Sequence, residues 1–195
     1  MSVSGICAKF RALVKYITTK TSTSMIQRIK HLIEKHIVGE EPNYNERRNS
    51  LSRFVQAQDR DYKTALAEIR NGRKMTHWIW YIFPQIEGLG HSCYSNLYGI
   101  RDISEARAYL SHPVLGKRLR EITGELLKHG DLSAQEILGE LDAKKVRSCM
   151  TLFDRVSPDD VFAQVLNTFY GGTRCELTLE KMNVQYSHEH PQSNM

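Results

Sequence analysis

The chain has 195 residues, of which 41% are hydrophobic and 25% are charged. These fractions match those of ordinary globular proteins and exclude a chain that is disordered throughout. The longest apolar run, residues 78–83, is far shorter than the roughly 20 residues that a membrane-spanning helix needs, so no transmembrane segment is predicted. No secretory signal is visible near the N-terminus, and we expect a soluble protein of the cytoplasm.

The net charge of +5 is concentrated at one end of the chain. Residues 1–39 contain seven basic side chains and one acidic side chain, so they carry +6, and residues 40–195 carry −1. A nearly neutral domain can neutralise few phosphates. The charge pattern therefore provides no strong signal of nucleic-acid binding, because the positive field belongs to the N-terminal arm.

Residues 1–48 are predicted to form a basic, amphipathic, helical N-terminal extension. Apolar residues recur at helical spacing between positions 6 and 17, and a second helix begins at the capping box of Ser24 and Gln27 and ends before Gly39. The preferred interpretation is that residues 1–39 dock on the domain itself or on a protein partner. The alternatives are an arm that lies on an anionic membrane, and a presequence over residues 1–33 that would direct the protein to mitochondria.

Residues 50–182 are predicted to form one compact domain of several helices, followed by a polar tail over residues 183–195. The fold class is therefore all-α, because apolar residues recur every three or four positions between helix start and stop signals. The predicted boundaries are a helix end at Gly72, a start at Pro113 and an end at Gly130, a capping box at Ser133 and Glu136, a start at Ser157-Pro158 and an end at Gly171-Gly172, and a short final helix over residues 178–182.

Residues 77–83 are harder to assign. Their aromatic and β-branched side chains favour a strand, and the segment is too short for periodicity to separate a buried strand from a buried helical turn. A lone strand would leave its backbone polar groups unpaired, and no partner strand is evident in the sequence. The segment is therefore predicted to be helical or irregular.

A series of ordered motifs runs through the predicted domain. It includes Arg53-Phe54 with Gln58, Gly72-Arg73-Lys74, His77-Trp78, Trp80, Phe83-Pro84-Gln85, Gly88-Leu89-Gly90, His112-Pro113, Lys145, Arg147-Ser148 and Gly171-Gly172. In this order the motifs resemble those of the DUF1810 family over roughly residues 51–182. The resemblance implies a compact all-α domain, and the family name implies no assigned activity, so neither a catalytic residue nor a cofactor is carried over. Cys175 stands where the family usually has an acidic residue, and the basic arm lies outside the family pattern.

The first group of candidate site residues lies at the start of the domain. It comprises two cations, an imidazole, two indoles and an amide before a glycine-containing loop: Arg73, Lys74, His77, Trp78, Trp80 and Gln85. Such side chains suit a planar, anionic ligand, since cations bind phosphate and an indole stacks on a base. His77 is a candidate acid or base, and Lys74, Trp78, Trp80 and Gln85 are candidate ligand contacts. The structural alternative makes the two tryptophans core residues and His77 a turn cap.

The second group combines His112 with Arg147 and Ser148. An imidazole at a helix start tends to remain neutral and is a candidate base, Ser148 is a candidate nucleophile, and Arg147 is a candidate ligand contact. No G-x-S-x-G motif surrounds Ser148. The structural alternative is that His112 caps a helix and Ser148 packs between helices.

No metal site is predicted, and the sequence leaves any cofactor unknown. His91-x-Cys93 and His188-x-His190 lack a second ligand pair at a suitable spacing. The cysteines form no C-x-x-C pair and are expected to be free thiols: Cys7, Cys93, Cys149 and Cys175.

Three functional hypotheses follow from these patterns. The first is a domain that binds or processes a small phosphorylated or nucleotide-like ligand. The alternative is a helical protein–protein interaction module without catalytic activity, and nucleic-acid binding ranks third because the domain is nearly neutral.

Overall fold

The computed structural model describes the backbone of residues 50–189 and the side chains of residues 50–183. The predictions for residues 1–48, and for the last residues of the polar tail, lie outside the described residues. Within residues 50–189 the chain forms nine α-helices. They are α1 (Ser52–Arg70), α2 (Ile79–Ile82), α3 (Cys93–Leu97), α4 (Ile103–Ser111), α5 (Leu115–Leu127), α6 (Ala134–Leu138), α7 (Glu140–Val156), α8 (Val161–Tyr170) and α9 (Glu176–Glu189). The predicted all-α class is confirmed.

Short-range signals account for several helix boundaries. At the start of α6, the Ser133 hydroxyl accepts the Glu136 backbone N–H at 3.2 Å, and the Glu136 carboxylate accepts the Ser133 N–H at 2.7 Å. The predicted capping box is therefore confirmed. The pair Gly171 and Gly172 ends α8 with φ of +57° and +75°, a conformation that suits glycine because a side chain would be strained there.

Other boundaries differ from the predicted positions. α5 begins at Leu115, two residues after Pro113, because the imidazole Nδ1 of His112 accepts the N–H groups of Val114 and Leu115 at 3.2 and 3.3 Å. α8 begins at Val161, where the Asp160 carboxylate accepts the first backbone N–H at 2.7 Å. The final helix extends over residues 176–189, well beyond the predicted residues 178–182.

Residues 77–83 form no strand. α2 is a single helical turn, and within the described residues the chain after it forms one isolated parallel bridge, between Ile86 and Ile100. In this bridge the Ile100 N–H donates to the Gln85 carbonyl, and the Glu87 N–H donates to the Ile100 carbonyl, both at 2.8 Å. The prediction of a helical or irregular segment is confirmed. Over residues 50–189, no helix combines the length and the apolarity that a bilayer span requires.

A row of fully buried aromatic rings links four helices at the centre of the domain. Phe54 on α1 meets Tyr109 on α4 edge to face, with ring centroids 5.0 Å apart. Tyr109 contacts Phe153 on α7 at 5.4 Å, and Phe153 contacts Phe162 on α8 at 5.6 Å. Aromatic pairs at these separations stabilise a core beyond the area that they bury. The row holds α7 in a single position against α1, α4 and α8.

The carboxylate of Glu68, near the end of α1, holds the loop that follows. It accepts the backbone N–H groups of Met75 and Thr76 at 2.8 and 3.1 Å, the Thr76 hydroxyl at 2.6 Å and the Trp78 indole N–H at 2.8 Å. Burial opposes ionisation of this carboxyl, but the four donated hydrogen bonds outweigh it and lower the pKa of Glu68 below its ordinary value. The ionised side chain therefore fixes the entry into α2.

Gly116 allows α5 to approach the end of α4. A Cβ atom at this position would overlap the carbonyl oxygen of Leu110 and lie 2.8 Å from its carbonyl carbon. In contrast, a Cβ atom at Gly124, farther along the same helix, would meet no atom within 4 Å. A methyl group would therefore clash with the backbone of α4 at Gly116, whereas it would meet open space at Gly124.

We expect Gly116→Ala to destabilise the protein by about 3 kcal/mol, because the backbone of α4 must move to admit the methyl group. Gly124→Ala, the matched control, should be neutral or stabilise by up to about 1 kcal/mol, since alanine is the better helix former. Urea unfolding of both variants measures the two effects. Equal stabilities for the two variants would contradict the predicted close approach of α4 and α5.

We expect Glu68→Gln to destabilise the protein by about 2 to 3 kcal/mol at pH 7, because the amide group cannot accept all four donors. The pKa of Glu68 is lowered in the folded state, so its contribution is fully present above the unfolded pKa of about 4.3 and is lost as pH falls through the folded pKa. The stability difference between wild type and variant should therefore be constant near neutral pH and shrink in acid. Urea unfolding at several pH values tests this, with Glu180→Gln at an exposed position as the control.

Candidate functional site

A cleft of about 550 Å³ opens between the segment of residues 80–95, the helix α7 and the start of α9. Its wall combines one indole, four aliphatic or glycine positions, four side chains that are cationic or imidazole, and five that carry an amide, hydroxyl or thiol. These residues are Trp80, Gln85, Leu89, Gly90, His91, Ser92, Ser95, Leu141, Lys144, Lys145, Arg147, Ser148, Cys175 and Leu177. The volume lies in the range of small-molecule sites in proteins.

The cleft brings together members of both predicted groups. Trp80 and Gln85 come from the first group, and Arg147 and Ser148 come from the second. The two pairs are more than 60 positions apart in the sequence, and they meet because α7 packs beside the segment that follows α2. The other candidates do not line this cleft: they are Arg73, Lys74, His77, Trp78 and His112.

Trp78 and Lys74 have structural contacts. Trp78 is 1% exposed, and its indole N–H is bound by Glu68. The Lys74 ammonium lies 2.7 Å from the carboxylate of Asp142 and 5.1 Å from the Trp78 ring centre, with a side chain that is only 8% exposed. Trp78 is therefore a core residue, as its structural alternative predicts. The positive charge of Lys74 is paired with the carboxylate of Asp142.

The two candidate histidines have different surroundings. His77 is exposed, just before α2. The Nδ1 atom of His112 accepts the first N–H groups of α5, as the structural alternative for this residue predicts. Neither imidazole lines the cleft beside Ser148.

One face of α7 supplies much of the cleft wall. Leu141, Lys144, Lys145 and Ser148 are spaced at three, one and three residues, which places them on one side of a helix. Arg147 lies at the edge of the same face. The spacing of these residues was visible in the sequence, but the sequence did not indicate that this face borders an opening, so Lys144 and Lys145 were not predicted as site residues.

The Lys145 ammonium lies over the indole of Trp80, with the nitrogen 4.7 Å from the ring centre. The indole also stacks with Tyr94 at 4.8 Å, so its position is fixed. Lys145 additionally pairs with Asp142 at 2.8 Å, and Asp142 is shared with Lys74. Burial opposes ionisation of Asp142, but the two lysines outweigh it and lower its pKa, so three side chains here share one net positive charge.

Arg147 presents a hydrogen-bond donor without an acceptor. Its Nε atom is buried and has no hydrogen-bond partner among the residues that the structure describes. A guanidinium offers five donors in a planar fork that matches a carboxylate or a phosphate. Arg147 itself lines the cleft, so its guanidinium is suited to an acidic group of a ligand.

Cys175 was not predicted as a site residue, and only its departure from the family pattern marked it. It lies directly before α9, where its carbonyl accepts the N–H groups of Thr178 and Leu179 at 3.1 and 3.2 Å. Its sulfur accepts the Ser148 hydroxyl at 3.2 Å. Burial opposes ionisation, but the donors of Ser148 and Thr178 and the charge of Arg147 outweigh it and lower the pKa of the Cys175 thiol.

The cleft as a whole favours negative charge. Lys144, Lys145 and Arg147 line it, and no Asp or Glu is among the described lining residues. The rim is apolar, since Leu141 and Leu177 are 74% and 61% exposed. The arrangement therefore combines a cationic wall with apolar edges.

Comparison with known proteins identifies relatives of the folded region. A search of curated proteins found no match. Among solved structures, the crystal structure of the conserved hypothetical protein Rv1873 from Mycobacterium tuberculosis is similar, with 42% sequence identity and a TM-score of 0.67. The similarity covers 68% of this chain and 96% of that chain.

The model of one protein family matches residues 48–182, which is more than half of the chain. The matched region agrees with the range over which the sequence motifs resemble that family. The chain therefore belongs to the DUF1810 family, which is described as a protein of unknown function.

Proposed function

We propose that the cleft binds a small organic anion of the phosphorylated-metabolite or nucleotide class. The observation that carries this proposal is a cleft that is lined by Lys144, Lys145 and Arg147 and by no described carboxylate. Three cationic side chains in one wall produce a positive potential that attracts an anion, and the Arg147 guanidinium can bind a phosphate or a carboxylate.

The shape and composition of the cleft support a ligand with a nonpolar part. Its volume of about 550 Å³ can enclose a ligand the size of a mononucleotide. Trp80, Leu89 and Leu141 offer apolar contacts beside the cations, and Gln85 offers an amide that can donate and accept. Of the predicted contacts, Trp80, Gln85 and Arg147 line this cleft, whereas Lys74 and Trp78 have structural contacts of their own.

A protein partner is the second candidate. Leu141 and Leu177 border the cleft and are largely exposed, and large exposed apolar side chains near an opening are frequent in protein interfaces. A peptide with an acidic residue between apolar residues would meet both the cationic wall and this rim. This candidate differs from the first because it depends on the leucines more than on Arg147.

We expect a nucleotide or a sugar phosphate to raise the melting temperature of the full chain in a screen that includes nucleotides, sugar phosphates and NAD-derived metabolites. At a concentration of about 100 times the dissociation constant, the gain is roughly 2.7 kcal/mol. Arg147→Gln should weaken binding by about tenfold or more, because a charged hydrogen bond is lost. Isothermal titration calorimetry measures this change.

The matched control is Arg155→Gln, which removes an exposed arginine from the same helix without altering the cleft. It should bind the ligand as wild type does. The proposal is contradicted if no ligand class stabilises the protein, or if both arginine variants weaken binding equally. Binding lost with Leu141→Ser and Leu177→Ser but retained with Arg147→Gln would favour the protein partner.

A further inference from the structure

Cys175 is part of the cleft wall, and the surroundings of its sulfur differ from those of the other buried cysteine. Cys149 is fully buried in the core, where burial raises the pKa of its thiol well above the ordinary value. Cys175 faces the cleft and receives the Ser148 hydroxyl at 3.2 Å. Its own backbone N–H donates to Thr151 at 2.9 Å, which fixes the start of α9.

Two further groups act on this sulfur. The Thr178 hydroxyl, on a fully buried residue, donates a hydrogen bond that lowers the pKa of Cys175. Arg147 lines the same cleft, and its positive charge lowers the same pKa. The sulfur therefore lies at a cationic cleft and accepts two hydroxyl donors, Ser148 and Thr178, which together stabilise a thiolate.

We propose that Cys175 is a nucleophilic thiol that forms a covalent bond with a small anionic electrophile held in the cleft. The inference rests on the proposed anion-binding function, because Arg147 and the lysines would hold the acidic group of the reagent. It adds to the proposed binding function a reactive sulfur atom and a class of substrate, which is a small anionic electrophile. Ser148 then acts as a hydrogen-bond donor to the sulfur, in place of the nucleophilic role that the sequence suggested.

The step balances without a metal or an oxidant. The thiol first loses its proton to solvent in the open cleft. A lone pair on the resulting thiolate attacks an electrophilic carbon and forms an S–C bond. The bond between that carbon and its leaving group breaks, and the leaving group departs with the electron pair.

The charged groups around Cys175 favour the thiolate. Arg147 faces it from α7, and Lys144, Lys145 and His91 line the same cleft. Arg174, the preceding residue, is neutralised by the Asp154 carboxylate on α7 at 2.7 Å. Glu176, the following residue, is exposed and lies outside the cleft wall.

Alkylation of the native full chain tests the proposal, with iodoacetate as an anionic probe and iodoacetamide as its neutral analogue. Both reagents form an S–C bond and release iodide. Peptide mass spectrometry gives the rate at each cysteine, and Cys93, which is exposed on α3, is the internal reference. We expect the ratio of the iodoacetate rate to the iodoacetamide rate to be about tenfold higher at Cys175 than at Cys93, because a cationic cleft concentrates anions.

The dependence on pH provides a second measurement. The iodoacetamide rate at Cys175 should rise with a midpoint below about 8.5, the value for an ordinary thiol. Ser148→Ala removes a donor to the sulfur and should move the midpoint upward, while Arg147→Gln should reduce the preference for iodoacetate. Continued protection of Cys149 from both reagents verifies that each variant remains folded, since this side chain is inaccessible in the native domain.

The thiol proposal is overturned if Cys175 stays unmodified in the native protein, if its rate ratio equals that of Cys93, or if its midpoint lies at or above 8.5. These outcomes are separate from failure of the binding proposal. Ligands that stabilise the protein while Cys175 stays unmodified would remove the thiol proposal alone. Selective carboxymethylation of Cys175 without stabilisation by any phosphorylated ligand would remove the nucleotide class and leave the reactive thiol in place.

Discussion

The ionised carboxylate of Glu68 is the contact on which one side of the cleft depends. It binds three residues of the chain after α1: the backbone of Met75, both donors of Thr76, and the indole of Trp78. With Trp78 anchored in the core, the single turn of α2 begins at a defined place, and Trp80 two residues later reaches the cleft. A charge that is desolvated and fully hydrogen-bonded holds a loop more firmly than apolar contacts do, because each donor has one direction of approach.

The helix α7 connects the core to the cleft. Val146 and Phe153 are buried in the centre of the domain, and Lys144, Lys145 and Ser148 face the opening. Since the aromatic row fixes the rotation of this helix, it also fixes where the cations lie. The positions of the charged groups are therefore a consequence of core packing, which is how a site on rigid elements keeps its geometry.

Local signals predicted the fold well, and the site only in part. The capping box of Ser133 and Glu136 and the glycines after α8 were predicted correctly, because each depends on residues within a few positions of one another. The start of α5 differed because the His112 side chain supplied a cap that Pro113 does not reveal. Trp78 and Trp80 have the same side chain but different environments. The short segment that contains them directs Trp78 into the core and Trp80 to the cleft, and composition cannot distinguish the two.

The sequence by itself determined that residues 50–182 form helices, that the domain is nearly neutral, and that the chain resembles the DUF1810 family, since apolar spacing, charge and motifs are properties of the linear chain. Only the tertiary structure decided which polar residues share a site. Ser148 and Cys175 are 27 positions apart, and Trp80 lies farther still from Arg147, so their meeting depends on how α7 packs against its neighbours. The physical reason is that helix formation is governed by contacts within one turn, whereas a cleft is the space that remains when distant helices bury their apolar faces.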